Sequence, residues 1–170
     1  CIVSNVFSQF YNGHQINFGK NRVQYDKFEW YYYRYDRFDS YFYLGGNELA
    51  IASDSIVNAT LNEFELFFGQ KISNRLIFIL YQNLSDFRQS NIGLKTVDSE
   101  NNLGGVIKIS DNVVSIYNEG SLEQFTISIR EAIAEIILRE MIYGSNVRSK
   151  VANNALISVP DWYIDGLAKY

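Results

Sequence analysis

Residues 121–144, SLEQFTISIREAIAEIILREMIYG, decide how the rest of the chain is read. Ile129, Ile133, Ile136, Ile137 and Met141 recur at three- and four-residue steps and predict one long amphipathic helix that supplies much of the core. Ser121 and Gln124 form a Ser-x-x-Gln capping box at its start, and Gly144 stops it. Glu131 and Glu135 stand four residues apart, so both project from one face, in line with Ile127, Leu138 and Ile142. Like charges at this spacing repel by roughly 0.2–0.5 kcal/mol on an exposed helix. Arg139, four residues after Glu135, offsets part of that cost.

Upstream, residues 106–110 and 113–118 predict a hairpin across Asp111-Asn112, a pair suited to a two-residue turn. Residues 75–81, RLIFILY, form a continuous apolar run, which predicts a central strand buried on both faces. A short helix is expected over residues 84–90, and residues 91–105 are loop-rich. Residues 47–69 predict an amphipathic helix on Leu49, Ala52, Ile56, Ala59, Leu61, Phe64 and Phe67, stopped by Gly69. Residues 22–43 alternate aromatic and polar residues and predict two or three strands with a turn near Asp36, with Phe38, Tyr41 and Tyr43 contributing to the core. Near the end, Pro160 suits the first turn of a helix in which Trp162, Ile164 and Leu167 pack inward. Strands, helix, strand, hairpin and long helix together read as an α+β fold.

A length of 170 residues fits one domain with a core of its own. Aromatic residues make up 16% of the chain, with 13 Tyr and 12 Phe against one Met and one Pro, which favours a β-rich front half. The net charge of -4 comes with no basic stripe, so the sequence offers no nucleic-acid footprint. No apolar run is long enough to cross a bilayer. Cys1 is the only cysteine, which rules out an internal disulfide. The chain reads as a fragment ending at Tyr170 inside a helix. Residues 1–17 read as an irregular lead-in or the remnant of a secretory signal cut near Ser8, with an ordinary first strand or a lipidated Cys1 as alternatives. His14, the only histidine, lies in that lead-in, so a Ser-His-Asp set has little support. Asn58 and Asn83 sit in Asn-x-Ser/Thr sequences, which matter only in a pathway that glycosylates them.

Pro160-Asp161-Trp162-x-x-Asp165-Gly166-x-Ala168-x-Tyr170 resembles the second metal motif of the gluzincin zinc peptidases, P-x-W-x-x-E-G-x-A-x-Y. In that family a helix bearing HExxH precedes this motif and ends in a phrase such as M-x-Y-G, which Met141-Ile142-Tyr143-Gly144 matches. Phe18-Gly19-Lys20-Asn21-Arg22-Val23-Gln24-Tyr25, Phe28-x-Trp30 and Phe38-Asp39-x-Tyr41-Phe42-Tyr43 are similar to the peptidase-like domain that precedes TolB-type β-propellers in envelope proteins of some Gram-negative bacteria. The resemblance spans residues 18–170 and implies a zincin-like fold, a small mixed sheet packed on a long helix beside the former active-site helix. It also implies export to the periplasm, outer membrane or cell surface, a β-propeller after Tyr170, and a polypeptide or another envelope protein as partner. The strand before the active-site helix is an edge that receives extended peptide in the resembled fold, which makes Val113, Val114, Ser115, Ile116 and Tyr117 the cleft candidates here.

The departures from the family pattern lie in the chemistry. Counting back from Gly144 places HExxH on residues 131–135, so Glu131 and Glu135 replace the two histidine ligands and Ala132 replaces the general base. Asp165 stands where the third ligand, a glutamate, is expected. A methyl group cannot take a proton from a metal-bound water. A register shifted by one sets Arg130-Glu131 over the first two positions and Ala134 over the second histidine, which keeps the base in Glu131 but loses both ligands. Zinc is therefore not expected, and the domain reads as an inactive relative serving as a binding or scaffold module. Two alternatives are a hydrolase using Glu131, Glu135 and Asp165 to hold a hard cation or as a general acid and base pair, and a carbohydrate-binding module on the aromatic front sheet around Trp30.

Overall fold

A computed structural model of the chain describes residues 25–90, 107–110, 112–144 and 159–170. The readings of residues 1–17, of His14 and of the loop at 91–105 fall outside the described residues, as does most of the front phrase at 18–25. The fold is α+β. In chain order the elements are β1 (Trp30–Arg34), β2 (Phe38–Tyr43), α1 (Asn47–Phe68), β3 (Leu76–Tyr81), α2 (Leu84–Arg88), β4 (Ile107–Ser110), β5 (Val113–Tyr117), α3 (Leu122–Tyr143) and α4 (Asp161–Lys169).

The strands form one mixed sheet in the order β1-β2-β3-β5-β4. β2, β3 and β5 run parallel, while β1 pairs antiparallel with β2 and β4 pairs antiparallel with β5. The apolar run at 76–81 occupies the centre as expected. Leu76, Phe78 and Leu80 enter the core beneath α1 and α3, and Ile79 and Tyr81 enter a second cluster on the other face. The pleat sends alternate residues of one strand to opposite faces, so a continuous apolar run suits a strand covered on both sides.

The β1–β2 turn is held from outside the hairpin. Tyr35 N–H donates to the Phe38 carbonyl at 2.9 Å. Arg75, just before β3, donates Nη1 to the carbonyls of Tyr35 and Phe38 at 2.5 and 3.1 Å and Nη2 to that of Asp36 at 2.9 Å. The same Nη1 reaches Asp39 Oδ1 at 2.8 Å, and Arg34 meets both Asp39 oxygens at 3.1 Å. Asp39 is 3% exposed, so its charge is satisfied by these two guanidiniums rather than by bulk water.

α1 ends where expected, on Gly69 in the left-handed region at φ 66, a conformation glycine adopts without steric cost. Its buried stripe overlaps the expected one in part, with Leu61 buried and Leu49, Ile56 and Phe64 packed against the main core. Ala50, Ser53, Asp54, Val57, Thr60 and Leu61 face inward, whereas Ala59 is exposed and Phe67 is 80% exposed. The polar side chains of Ser53 and Asp54 on the buried stripe are hydrogen-bonded there. Ser53 Oγ donates to the Ala50 carbonyl at 2.8 Å, and Ser40 Oγ donates to Asp54 Oδ1 at 2.6 Å, with Tyr35 Oη on the other Asp54 oxygen. α2 is capped by Asn83, whose side chain accepts from Asp86 N–H.

α3 starts at the expected cap, with Ser121 Oγ accepting from Gln124 N–H at 3.4 Å. Phe125, Ile129, Ala132, Ile133, Ile136 and Ile137 bury themselves in the main core, while Met141, placed on the apolar stripe from the sequence, is 51% exposed. Glu140 takes the inward position instead and accepts from Ser73 N–H at 3.3 Å, tying the loop before β3 to the end of α3. Among the described side chains of α4 only Ile164 is fully buried. Trp162 and Leu167, also expected to pack inward, are 72% and 43% exposed.

Two outcomes follow from the buried carboxylates. Asp39→Ala removes charge-assisted hydrogen bonds to two partly exposed arginines and is expected to cost about 2 kcal/mol in urea unfolding; a loss below about 0.5 kcal/mol would place Asp39 among ordinary surface positions. Burial raises the pKa of Asp54, with the Ser40 and Tyr35 hydroxyls pulling it part of the way back. The folded chain therefore holds the proton more tightly than the unfolded chain, and the stability this adds is full at low pH and lost as pH rises through the raised value. The melting temperature of Asp54→Asn, relative to the unsubstituted chain, is expected to improve between pH 3.5 and pH 7; a difference flat across that range would overturn the assignment.

Candidate functional site

The residues chosen from the sequence lie on α3 and α4, with β5 beside them. Once Phe125, Ile129, Ile133 and Ile137 point into the core, the 100° step per residue fixes where every other side chain of α3 projects. Glu131, Glu135, Leu138 and Ile142 are half-buried along the flank of the helix, as the sequence pattern implies. Ala132 projects into the main core and is fully buried.

Glu135 is engaged along its own helix. Arg139 Nε donates to Glu135 Oε1 at 2.7 Å, and both side chains are partly shielded, at 34% and 20% exposure. Glu131 forms no ion pair among the described residues. Asp165 is exposed on α4, whose start is joined to the end of α3 by the Tyr143 hydroxyl on the Val159 carbonyl at 3.3 Å. Among the described residues no three His, Cys, Asp or Glu side chains are grouped to hold a metal ion, so the structure does not bring Glu131, Glu135 and Asp165 together as a cation site. In the shifted register, Arg130 is turned to α1. It meets Glu63 through two bonds of 2.7 and 2.8 Å and lies 4.7 Å from the Phe64 ring centroid, while Ala134 is buried.

The cleft strand requires a correction. Val113, Val114, Ser115, Ile116 and Tyr117 belong to β5, which lies inside the sheet. It pairs with β3 from Ile77↔Val113 to Tyr81↔Tyr117 and with β4 from Ser110↔Val113 to Ile107↔Ile116. A strand bonded on both sides has no row of backbone groups left for an added chain. Among the described residues the outermost strand on that side is β4. Its Ile-Lys-Ile-Ser sequence alternates and carries a lysine, as edge strands often do, whereas Val-Val-Ser-Ile-Tyr is the more continuous apolar run.

The aromatic sheet is packed rather than presented. Trp30 is 4% exposed, with Tyr43 and Tyr81 edge-on at ring-centroid distances of 5.3 and 5.4 Å. Burial pushes the Tyr81 hydroxyl up to about 12, so it stays protonated at neutral pH. Tyr32 and Tyr41 stack on each other at 5.2 Å, and the Arg34 guanidinium lies 5.6 Å from the Tyr32 ring centroid. An open pocket of about 240 Å³ lies where β2 and β3 begin, between Arg37, Ser73, Asn74 and Arg75. None of the sequence-chosen residues lines it. Its guanidiniums are engaged with Glu65 and with Asp39 and the hairpin carbonyls. No described helix is long and apolar enough to cross a membrane.

No protein-family model, curated protein or solved structure matches this chain.

Sequence reasoning overlooked three buried carboxylates, Asp39, Asp54 and Glu140. Glu140 was open to detection, since it falls three and four residues after the core positions Ile137 and Ile136. Asp54 falls four residues after Ala50 and three before Val57 and so carries the same helical mark, whereas Asp39 on β2 carries none.

The placement of position 132 is directly testable. Ala132→Glu puts a carboxylate into the main core and is expected to cost at least about 3 kcal/mol in urea unfolding or to prevent folding. Glu131→Ala on the flank is expected to change stability by no more than about 0.5 kcal/mol. Equal costs for the two would show that the helix does not sit as described.

Proposed function

We propose that this domain is a binding or scaffold module on a peptidase-like framework, without peptide-hydrolysing chemistry of its own. One observation carries the proposal: the position resembling a general base holds Ala132, whose methyl group lies in the core. Water activation on a metal needs a side chain that accepts a proton in a solvent-reached cleft, and a buried methyl group meets neither condition. The flanking position agrees, since Glu135 is already paired with Arg139.

The resemblance in residues 18–170 makes the partner a polypeptide or another protein of the bacterial envelope, and an exported location goes with it. Extended chains bind sheets by adding a strand to an open edge, where main-chain bonds supply affinity. Among the described residues the outer side of β4 pairs with no strand, so Ile107–Ser110, rather than the interior β5, is the edge proposed to receive such a chain.

Incubation with a library of quenched fluorescent peptides, with added Zn²⁺ or with chelator, is expected to show no cleavage above buffer. Chelator-sensitive turnover would overturn the proposal. Hydrogen exchange in the presence of a peptide retained from that library is expected to slow at residues 107–110 and to stay unchanged at residues 113–117. Binding without protection at 107–110 would rule out addition at β4.

A further inference from the structure

We draw no further inference here: the strongest candidate, the outward face of α4, where Trp162, Tyr163 and Leu167 stand 72%, 48% and 43% exposed, carries nothing because nothing in the structure shows what covers it.

Discussion

Seating α3 against the sheet is the constraint on which the remaining features rest. Phe125, Ile129, Ile133 and Ile137 fill the space over Phe78, Leu80, Val114 and Ile116, and a helix anchored at so many points cannot turn about its axis. That orientation sends Ala132 inward and leaves Glu131 and Glu135 on the flank. The chemistry available along α3 is thus a consequence of packing. A side chain at 132 larger than a methyl group would compete with the core for volume, and a charged one would also lose its water.

A parallel centre imposes its own demands. β2, β3 and β5 run the same way, so the chain must cross over between β2 and β3, and α1 supplies that crossing on the face it shares with α3. The antiparallel strands β1 and β4 stand outermost on the two sides among the described residues. Since β4 precedes β5 in a tight hairpin yet β5 pairs with β3, β4 is carried outward. Among the described residues this makes β4, rather than the strand nearest α3 in sequence, the outermost strand on that side.

The three buried carboxylates each have a partner in a different part of the fold. Asp39 on β2 meets Arg75 ahead of β3, Asp54 on α1 meets Ser40 on β2, and Glu140 on α3 meets the loop backbone at Ser73. Such bonds contribute modest net energy when made and cost more when one partner is lost. They lock the hairpin, α1 and the end of α3 into one arrangement, consistent with the burial of three carboxylates in a chain whose net charge is already negative.

Local pattern carried the extents of α1, β3, the β4–β5 hairpin and α3 to within a residue or two, because periodicity, caps and turn residues act within one segment of chain. It also carried the residue types at 131, 132, 135 and 165, which no fold can alter. Strand order was beyond it: an apolar strand offers the same backbone groups to any neighbour, and only the assembled sheet made β5 interior and β4 outer. The exposure of Trp162, Met141 and Phe67 was decided the same way. Each of these helices carries apolar residues on more than one face, and which face is buried depends on the partners that other elements bring to it.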